Sequence, residues 1–217
     1  MAPRTTAIIG VTGFALIAAG GLLEPLWEVP GTTASDAEIA AYVARNRDGF
    51  IAAVTVYAFG MGLFLAFAAG LWIWLREREG VGAGLPAVFA LGSVSLVSVV
   101  FAGFAAILAL AYRAPGVNAA RELYDLCFGL LALSGVPTAV ALSAFAAIVF
   151  KARPLPAVTG WVAALGALAH VVIAGSFLPR DGFFSLEGGV IVAVPSTLFL
   201  WLLVTSIALW NAAQRYS

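Results

Sequence analysis

PLPAVTGWVAALGALAHVVIAGSFLP, residues 154–179, is an apolar stretch long enough to cross a bilayer, and it contains the chain's only histidine, His170. About 20 apolar residues, rising 1.5 Å each, span the roughly 30 Å hydrocarbon core of a membrane. The stretch therefore predicts a transmembrane helix, with His170 roughly 21 Å along the axis from Pro156. An imidazole is costly at that depth against lipid, so we expect it to face the interior of a helix bundle.

The composition of the whole chain indicates a polytopic membrane protein. Hydrophobic residues make up 63% of the 217 residues and charged residues 10%, whereas soluble domains carry about 25% charged residues. Unbroken apolar runs favour helices over the alternating pattern of a membrane barrel. We predict an all-α, six-helix transmembrane bundle, a single membrane domain over residues 1–217. The predicted crossings are residues 5–28, 49–75, 85–112, 122–150, 155–178 and 189–211.

The first crossing has an alternative interpretation as a secretory signal peptide, because a short basic start precedes its apolar run. Between the first two crossings, SDAEIAAYVARNR (residues 35–47) predicts a short amphipathic helix at the membrane interface. Ser35 is the expected N-cap, and Glu38 lies three residues later, which is the spacing of a capping box. Pro137 is expected to kink the fourth crossing near the middle of the membrane, because proline removes one backbone hydrogen bond.

Six crossings place both termini on the same side of the membrane. The basic residues divide almost evenly between the two sides, so their number does not fix the orientation. The short connections REREG (residues 76–80) and KARP (residues 151–154) lie on the side of the termini, and basic residues in short loops favour the cytoplasm. We therefore expect a multi-pass protein of the bacterial inner (plasma) membrane with cytoplasmic termini.

The acidic residues are distributed unevenly, and most of them belong to the side opposite the termini. We call this set the acidic collar; it comprises Glu24, Glu28, Asp36, Glu38, Asp48, Glu122, Asp125, Asp181 and Glu187. His170 is expected about 10 Å below it if the helices cross without large tilt. The sequence therefore predicts a polar, outward-facing pocket at this end of the bundle.

A candidate site follows from this placement. Carboxylates partly withdrawn from water could serve as general acids, and arginines could hold anionic groups. The candidate catalytic residues are His170, Asp125, Glu24 and Glu187, and the candidate substrate-binding residues are Trp27, Tyr124, Arg121, Arg180 and Trp161. In the alternative interpretation, the collar charges pair with one another and with lipid headgroups, while His170 donates a hydrogen bond to a carbonyl or serine on a neighbouring helix.

A single cysteine and a single histidine limit the chemistry. They exclude an intramolecular disulfide, a multi-thiolate metal site, bis-histidine haem within one chain and HExxH zinc chemistry. We expect no metal and no cofactor. The formal net charge of zero gives no reason to expect nucleic acid as a partner. The expected partners are membrane lipid and a lipophilic small molecule, with a homodimer as a candidate assembly.

LPAVTGW (residues 155–161), LFLWLLVTSIALW (residues 198–210), an early Arg45-Asn46-Arg47 and the Leu75-Arg76 end of the second helix carry a resemblance. With these segments the chain resembles a bacterial family of small integral membrane proteins known only as a domain of unknown function. The resemblance implies a polytopic protein of the bacterial inner membrane. The family has no established catalytic residues that could be assigned to positions in this chain.

The favoured hypothesis is a bundle that binds or transforms a lipophilic small molecule by metal-free acid/base chemistry, as an isomerase or cyclase would. One alternative is a non-catalytic membrane subunit or scaffold whose small-residue helix faces receive a partner helix. A further alternative is a small dimeric transporter, although no inverted repeat is apparent.

Overall fold

A computed structural model describes residues 1–23, 29–31, 33–78, 84–113 and 119–214 of the chain. Within these ranges the secondary structure consists of helices and turns, with no strand. The helices are α1 (Pro3–Leu23), α2 (Asp36–Arg45), α3 (Arg47–Arg78), α4 (Gly84–Arg113), α5 (Ala120–Leu133), α6 (Gly135–Ala152), α7 (Ala157–Ala174) and α8 (Val190–Gln214).

Six of the described helical spans are long and apolar enough to cross a membrane, if α5 and α6 are taken together. The shortest span, α7, has 18 residues, or about 27 Å at 1.5 Å per residue, close to the thickness of the hydrocarbon core. The predicted six-helix, all-α membrane bundle is therefore confirmed, and the protein is a multi-pass membrane protein.

The six crossings form a closed ring. Along the chain, α1 packs on α3, α3 on α4, α4 on α5 and α6, α6 on α7, α7 on α8, and α8 returns to α1. Small residues bring neighbouring helices close together: a Cβ on Gly60 of α3 would lie 2.9 Å from the backbone nitrogen of Ile17 on α1. Close packing of this kind is the main source of helix association in lipid, where the hydrophobic effect between helices is absent.

The fourth crossing consists of two helices. α5 ends at Leu133 and α6 begins at Gly135, so the interruption falls at Ser134, three residues before the proline on which the sequence predicts a kink. Pro137 has no N–H to donate to the carbonyl of Leu133, and the loss of that bond interrupts the helix one turn upstream of the proline. The whole crossing, Ala120–Ala152, has 33 residues, or about 50 Å, so one end extends well beyond the hydrocarbon core.

α2 has the predicted capping box. The Ser35 hydroxyl accepts from the backbone N–H of Glu38 at 3.4 Å, and the Glu38 carboxylate accepts from the backbone N–H of Ser35 at 2.7 Å. The apolar face of α2, which includes Ile39 and Val43, is buried.

α2 also caps a second helix. Asp36 accepts a hydrogen bond from the backbone N–H of Arg121 at 2.8 Å, and α5 has no side-chain cap from its own N-cap residue. An acidic group at this position also interacts favourably with the helix dipole. One residue of the acidic collar is thereby assigned to holding α2 on the end of α5.

The ends of two crossings differ from the sequence prediction. The fifth crossing, expected to reach residue 178, ends as a helix at Ala174, and turns occupy residues 175–189 before α8. The backbone N–H of Gly175 bonds to the carbonyl of Val172 at 2.9 Å, a tighter bond than the α-helical one, which ends the helix. The predicted end of the first crossing, residues 24–28, lies outside the described residues.

Candidate functional site: a cavity inside the helix ring

The ring encloses a cavity of about 580 Å³. Every crossing contributes to its lining, which is dominated by aliphatic and aromatic side chains such as Phe50, Leu96, Phe128 and Leu198. A volume of this size falls in the range of small-molecule binding sites, which are mostly apolar with a few placed polar groups. The apolar lining and the volume of the cavity therefore both suit a lipophilic ligand.

Towards the termini, the ring is filled by four packed aromatic side chains, Phe67, Phe89, Phe145 and Trp201, which we call the aromatic plug. The Trp201 ring is completely buried, and its centre lies 6.0, 6.0 and 5.0 Å from the ring centres of the three phenylalanines in that order. On α3, α4 and α6 the plug residue lies nearer the termini than the cavity-lining residues of the same helix. The cavity therefore occupies the half of the bundle nearer the acidic collar.

The lining reaches the outer surface of the bundle where α1 meets α8. Leu22 of α1 and Leu200 of α8 line the cavity, although 85% and 51% of their surfaces are exposed. Leu200 lies near the middle of α8, so its exposed surface faces lipid, and Leu22 lies at the collar end of α1, near the membrane interface. The cavity lining is thus continuous with the lipid-facing surface between these two helices, which we call the α1–α8 opening.

His170 lies in the cavity wall. Its side chain is 3% exposed and lines the cavity. Nδ1 is 2.8 Å from the carbonyl oxygen of Gly166, one turn earlier on α7. Because a carbonyl only accepts, Nδ1 must carry the proton of this bond, and Nε2 of the neutral ring is then an acceptor. Among the described residues, this is the only hydrogen bond of the imidazole.

The junction of α5 and α6 packs directly against His170. A Cβ on Gly135 would collide with the backbone carbonyl oxygen of His170 and would lie 2.6 Å from Cγ2 of Ile173. Only glycine permits this approach, which brings the neighbouring Ser134 to the same part of the cavity wall.

Two hydroxyl groups from the junction also line the cavity. The Ser134 hydroxyl donates to the carbonyl of Leu131 at 2.6 Å, and the Thr138 hydroxyl donates to the carbonyl of Ser134 at 2.7 Å. Both residues are buried. We call Ser134, Thr138 and His170 the polar patch of the cavity.

The collar residues of the predicted site lie outside this lining. Asp125 is half-exposed, with its carboxylate 3.9 Å from the Arg121 guanidinium. Tyr124 is buried, and its hydroxyl donates to the carbonyl of Pro30 at 3.4 Å. Neither they nor Glu187 and Arg180, which follow α7, contribute to the cavity wall. Glu24 and Trp27 lie outside the described residues.

Trp161 lies near the opposite end of α7 from the collar. Nine residues separate it from His170, which corresponds to about 13 Å along the helix and a half-turn of the helix face. Its indole is 62% exposed and packs on Phe150, with 5.0 Å between ring centres. The structure therefore brings His170, but not Trp161, to the cavity.

Sequence reasoning overlooked the contribution of α5 and α6 to the wall. Cys127, Leu131, Ser134 and Thr138 all line the cavity, and they follow one another at spacings of four, three and four residues. This is the spacing of a single helix face. The stripe could have been identified in the sequence, although the close approach of Gly135 to His170 could not.

Together these features define a multi-pass membrane protein with an internal, largely apolar cavity. Within the described ranges, no group of three or more His, Cys, Asp or Glu side chains is placed to hold a metal ion. Comparisons with models of protein families, with curated proteins and with solved structures found no match. The resemblance carried by the LPAVTGW segment stays a prediction.

Proposed function

We propose that this protein binds a lipophilic small molecule in the cavity of the helix ring and that the molecule enters from the lipid phase through the α1–α8 opening. The observation that carries the proposal is the lining of the cavity, which is apolar for most of its area and continues onto the outer surface at Leu22 and the lipid-facing surface at Leu200. Such a wall offers a charged, water-soluble compound little compensation for its lost hydration.

Entry from the membrane is supported by the packing at the collar end. Phe50 lines the cavity, and the ring of Tyr42 on α2 packs on its edge with 5.8 Å between ring centres. α2 is in turn held on α5 by the bond between Asp36 and the backbone of Arg121. α2 thus lies between part of the cavity wall and the aqueous phase, whereas the exposed lining residue Leu200 faces lipid.

Two glycine substitutions form a matched test. Gly21 lines the cavity at the α1–α8 opening, and Gly62 lies on an outward face of α3; a Cβ at either position meets open space. Gly21→Phe places a ring in the opening, and Gly62→Phe adds the same ring on an exposed face of α3, outside the cavity lining.

The assay is mass spectrometry of organic extracts from protein purified in mild detergent. We expect a lipophilic compound, in stoichiometric amount, from the wild type and from Gly62→Phe, and its loss from Gly21→Phe. Identical lipid profiles in all three proteins would contradict binding of a ligand that enters through the α1–α8 opening.

We also propose an acid/base reaction on this ligand, of the isomerase or cyclase type, as the second candidate function. It is favoured by a single observation: among the predicted catalytic residues that the structure describes, His170 alone lies in the cavity wall, and its Nε2 has no hydrogen-bond partner among the described residues. His170→Gln retains hydrogen bonding without the basicity of imidazole. The variant should bind the extracted compound but leave it unconverted, while the wild type changes its chromatographic position. Conversion at the same rate by both proteins would eliminate the reaction.

The identity of the membrane and the side on which the termini lie are also proposed. We propose the bacterial inner membrane with cytoplasmic termini, supported by the basic ends of the crossings on the terminal side, where the Arg76 guanidinium lies 4.9 Å from the ring centre of Trp72. Labelling of Ser35→Cys, but not of Lys151→Cys, by an impermeant maleimide in intact cells is the expected result. The reverse labelling would invert the orientation.

A further inference from the structure

We infer that the polar patch recognises a hydrogen-bond donor and that the ligand is therefore a lipophilic molecule bearing a hydroxyl group. This inference rests on the proposed function, because it specifies the chemistry of the molecule that occupies the cavity. The N–H and O–H groups of the polar patch already donate hydrogen bonds to backbone carbonyls, so the patch has only acceptors left for a ligand.

The imidazole of His170 offers a hydrogen-bond acceptor to the cavity. Nδ1 of His170 lies 2.8 Å from the carbonyl oxygen of Gly166 and donates its proton to that oxygen. The neutral ring has one proton to donate, so Nε2 presents a lone pair. A ligand that only accepts hydrogen bonds, such as a ketone or an ether, finds no donor at this nitrogen.

The two hydroxyl groups of the polar patch also offer acceptors to the cavity. Ser134 and Thr138 each donate to a carbonyl of their own helix, at 2.6 and 2.7 Å. A hydroxyl has a single proton, so what remains on both oxygens is the capacity to accept. All three members of the polar patch therefore offer lone pairs, and the close approach of Gly135 to the His170 backbone holds them in the same part of the wall.

A hydroxyl fits this patch better than an ammonium group does. An ammonium group is also a donor, but no carboxylate is among the described residues that line the cavity. A buried charge without a partner is far more costly than a neutral donor. The arrangement thus favours a neutral O–H group on an apolar body that fills the remaining wall.

The test compares two probes that differ in one proton donor, 1-dodecanol and its methyl ether. Saturable binding of each tritiated probe to the protein in nanodiscs is measured, with empty nanodiscs subtracted to remove simple partitioning. One neutral hydrogen bond corresponds to about a fivefold difference in affinity. We expect the wild type to prefer the alcohol by about this factor.

Substitutions in the polar patch show which residues cause the preference for the alcohol. His170→Leu should bind the ether as the wild type does but lose the preference for the alcohol. Ser134→Ala, which removes one acceptor together with its bond to the Leu131 carbonyl, should reduce the preference for the alcohol. Gly21→Phe should bind neither probe, and Gly62→Phe should behave as the wild type does.

The outcomes separate this inference from the function on which it rests. Equal affinity of the wild type for both probes, or a preference for the ether, overturns the inference while leaving the lipophilic cavity in place. Absence of saturable binding of either probe to the wild type and to Gly62→Phe counts against both.

Discussion

Replacement of Trp201 tests the packing that ends the cavity on the side of the termini. Its indole is fully buried and packs edge-on against three phenylalanines, with interplanar angles of 77°, 80° and 61°. Removing a buried Trp side chain to Ala costs about 3–5 kcal/mol. For a chain of this length, each kcal/mol shifts the melting temperature by about 2–4 °C. We therefore expect Trp201→Ala to melt roughly 6–20 °C below the wild type.

Trp201→Phe provides the informative comparison. Three fewer buried heavy atoms leave a small cavity, and the lost packing costs about 1–2 kcal/mol. The indole N–H, however, is buried and has no hydrogen-bond partner among the described residues, and removing an unpaired buried donor recovers about 1–3 kcal/mol. The two effects nearly cancel, so Trp201→Phe should remain within about 1 kcal/mol of the wild type.

The assay is thermal unfolding of the purified variants in the same detergent, followed by circular dichroism. If Trp201→Phe loses as much stability as Trp201→Ala, the indole N–H makes a hydrogen bond in the folded protein. That result would refute the near-cancellation expected here.

Three further substitutions test other parts of the fold. Gly135→Ala places a methyl group against the backbone of His170; we expect a loss of about 1–3 kcal/mol, as in overpacked cores, measured by thermal unfolding. Asp36→Ala removes the cap on α5 and should cost about 0.5–2 kcal/mol, with faster hydrogen exchange confined to the first turn of that helix. Hydrogen bonds from the Ser35 backbone and then its side chain hold the pKa of the Glu38 carboxyl below its ordinary value of 4.5. Because the folded pKa is the lower one, this contribution is present above pH 4.5 and is lost as the pH falls below it. Glu38→Gln should remove that part of the acid sensitivity of α2, followed by hydrogen exchange between pH 3 and pH 6.

Local features of the fold could be predicted from the sequence because they depend on residues that are close along the chain. The apolar runs predict the six crossings, and Ser35 with Glu38 predicts the start of α2. Both signals lie within a single helix, so no knowledge of neighbouring helices is needed.

The features that define the cavity depend on residues distant in sequence. The bond from Asp36 to the Arg121 backbone joins α2 to α5, and the contact of Gly135 with His170 joins α6 to α7. Both contacts depend on which helices are neighbours in the ring. No local pattern in an apolar sequence indicates that order. The burial of His170 could be predicted from its cost in lipid, whereas the separation of the cavity from the collar carboxylates could not.

Photolabelling of the protein in nanodiscs with a small lipophilic diazirine, followed by peptide mass spectrometry, tests the central claim most directly. Leu96 lines the cavity and is buried from the outer surface, whereas Leu165 and Leu168 face lipid. The account predicts adducts on Leu96 as well as on the outer leucines in the wild type and in Gly62→Phe, and loss of the Leu96 adduct alone in Gly21→Phe. Adducts confined to Leu165 and Leu168 in all three proteins would contradict a cavity that opens to the membrane between α1 and α8.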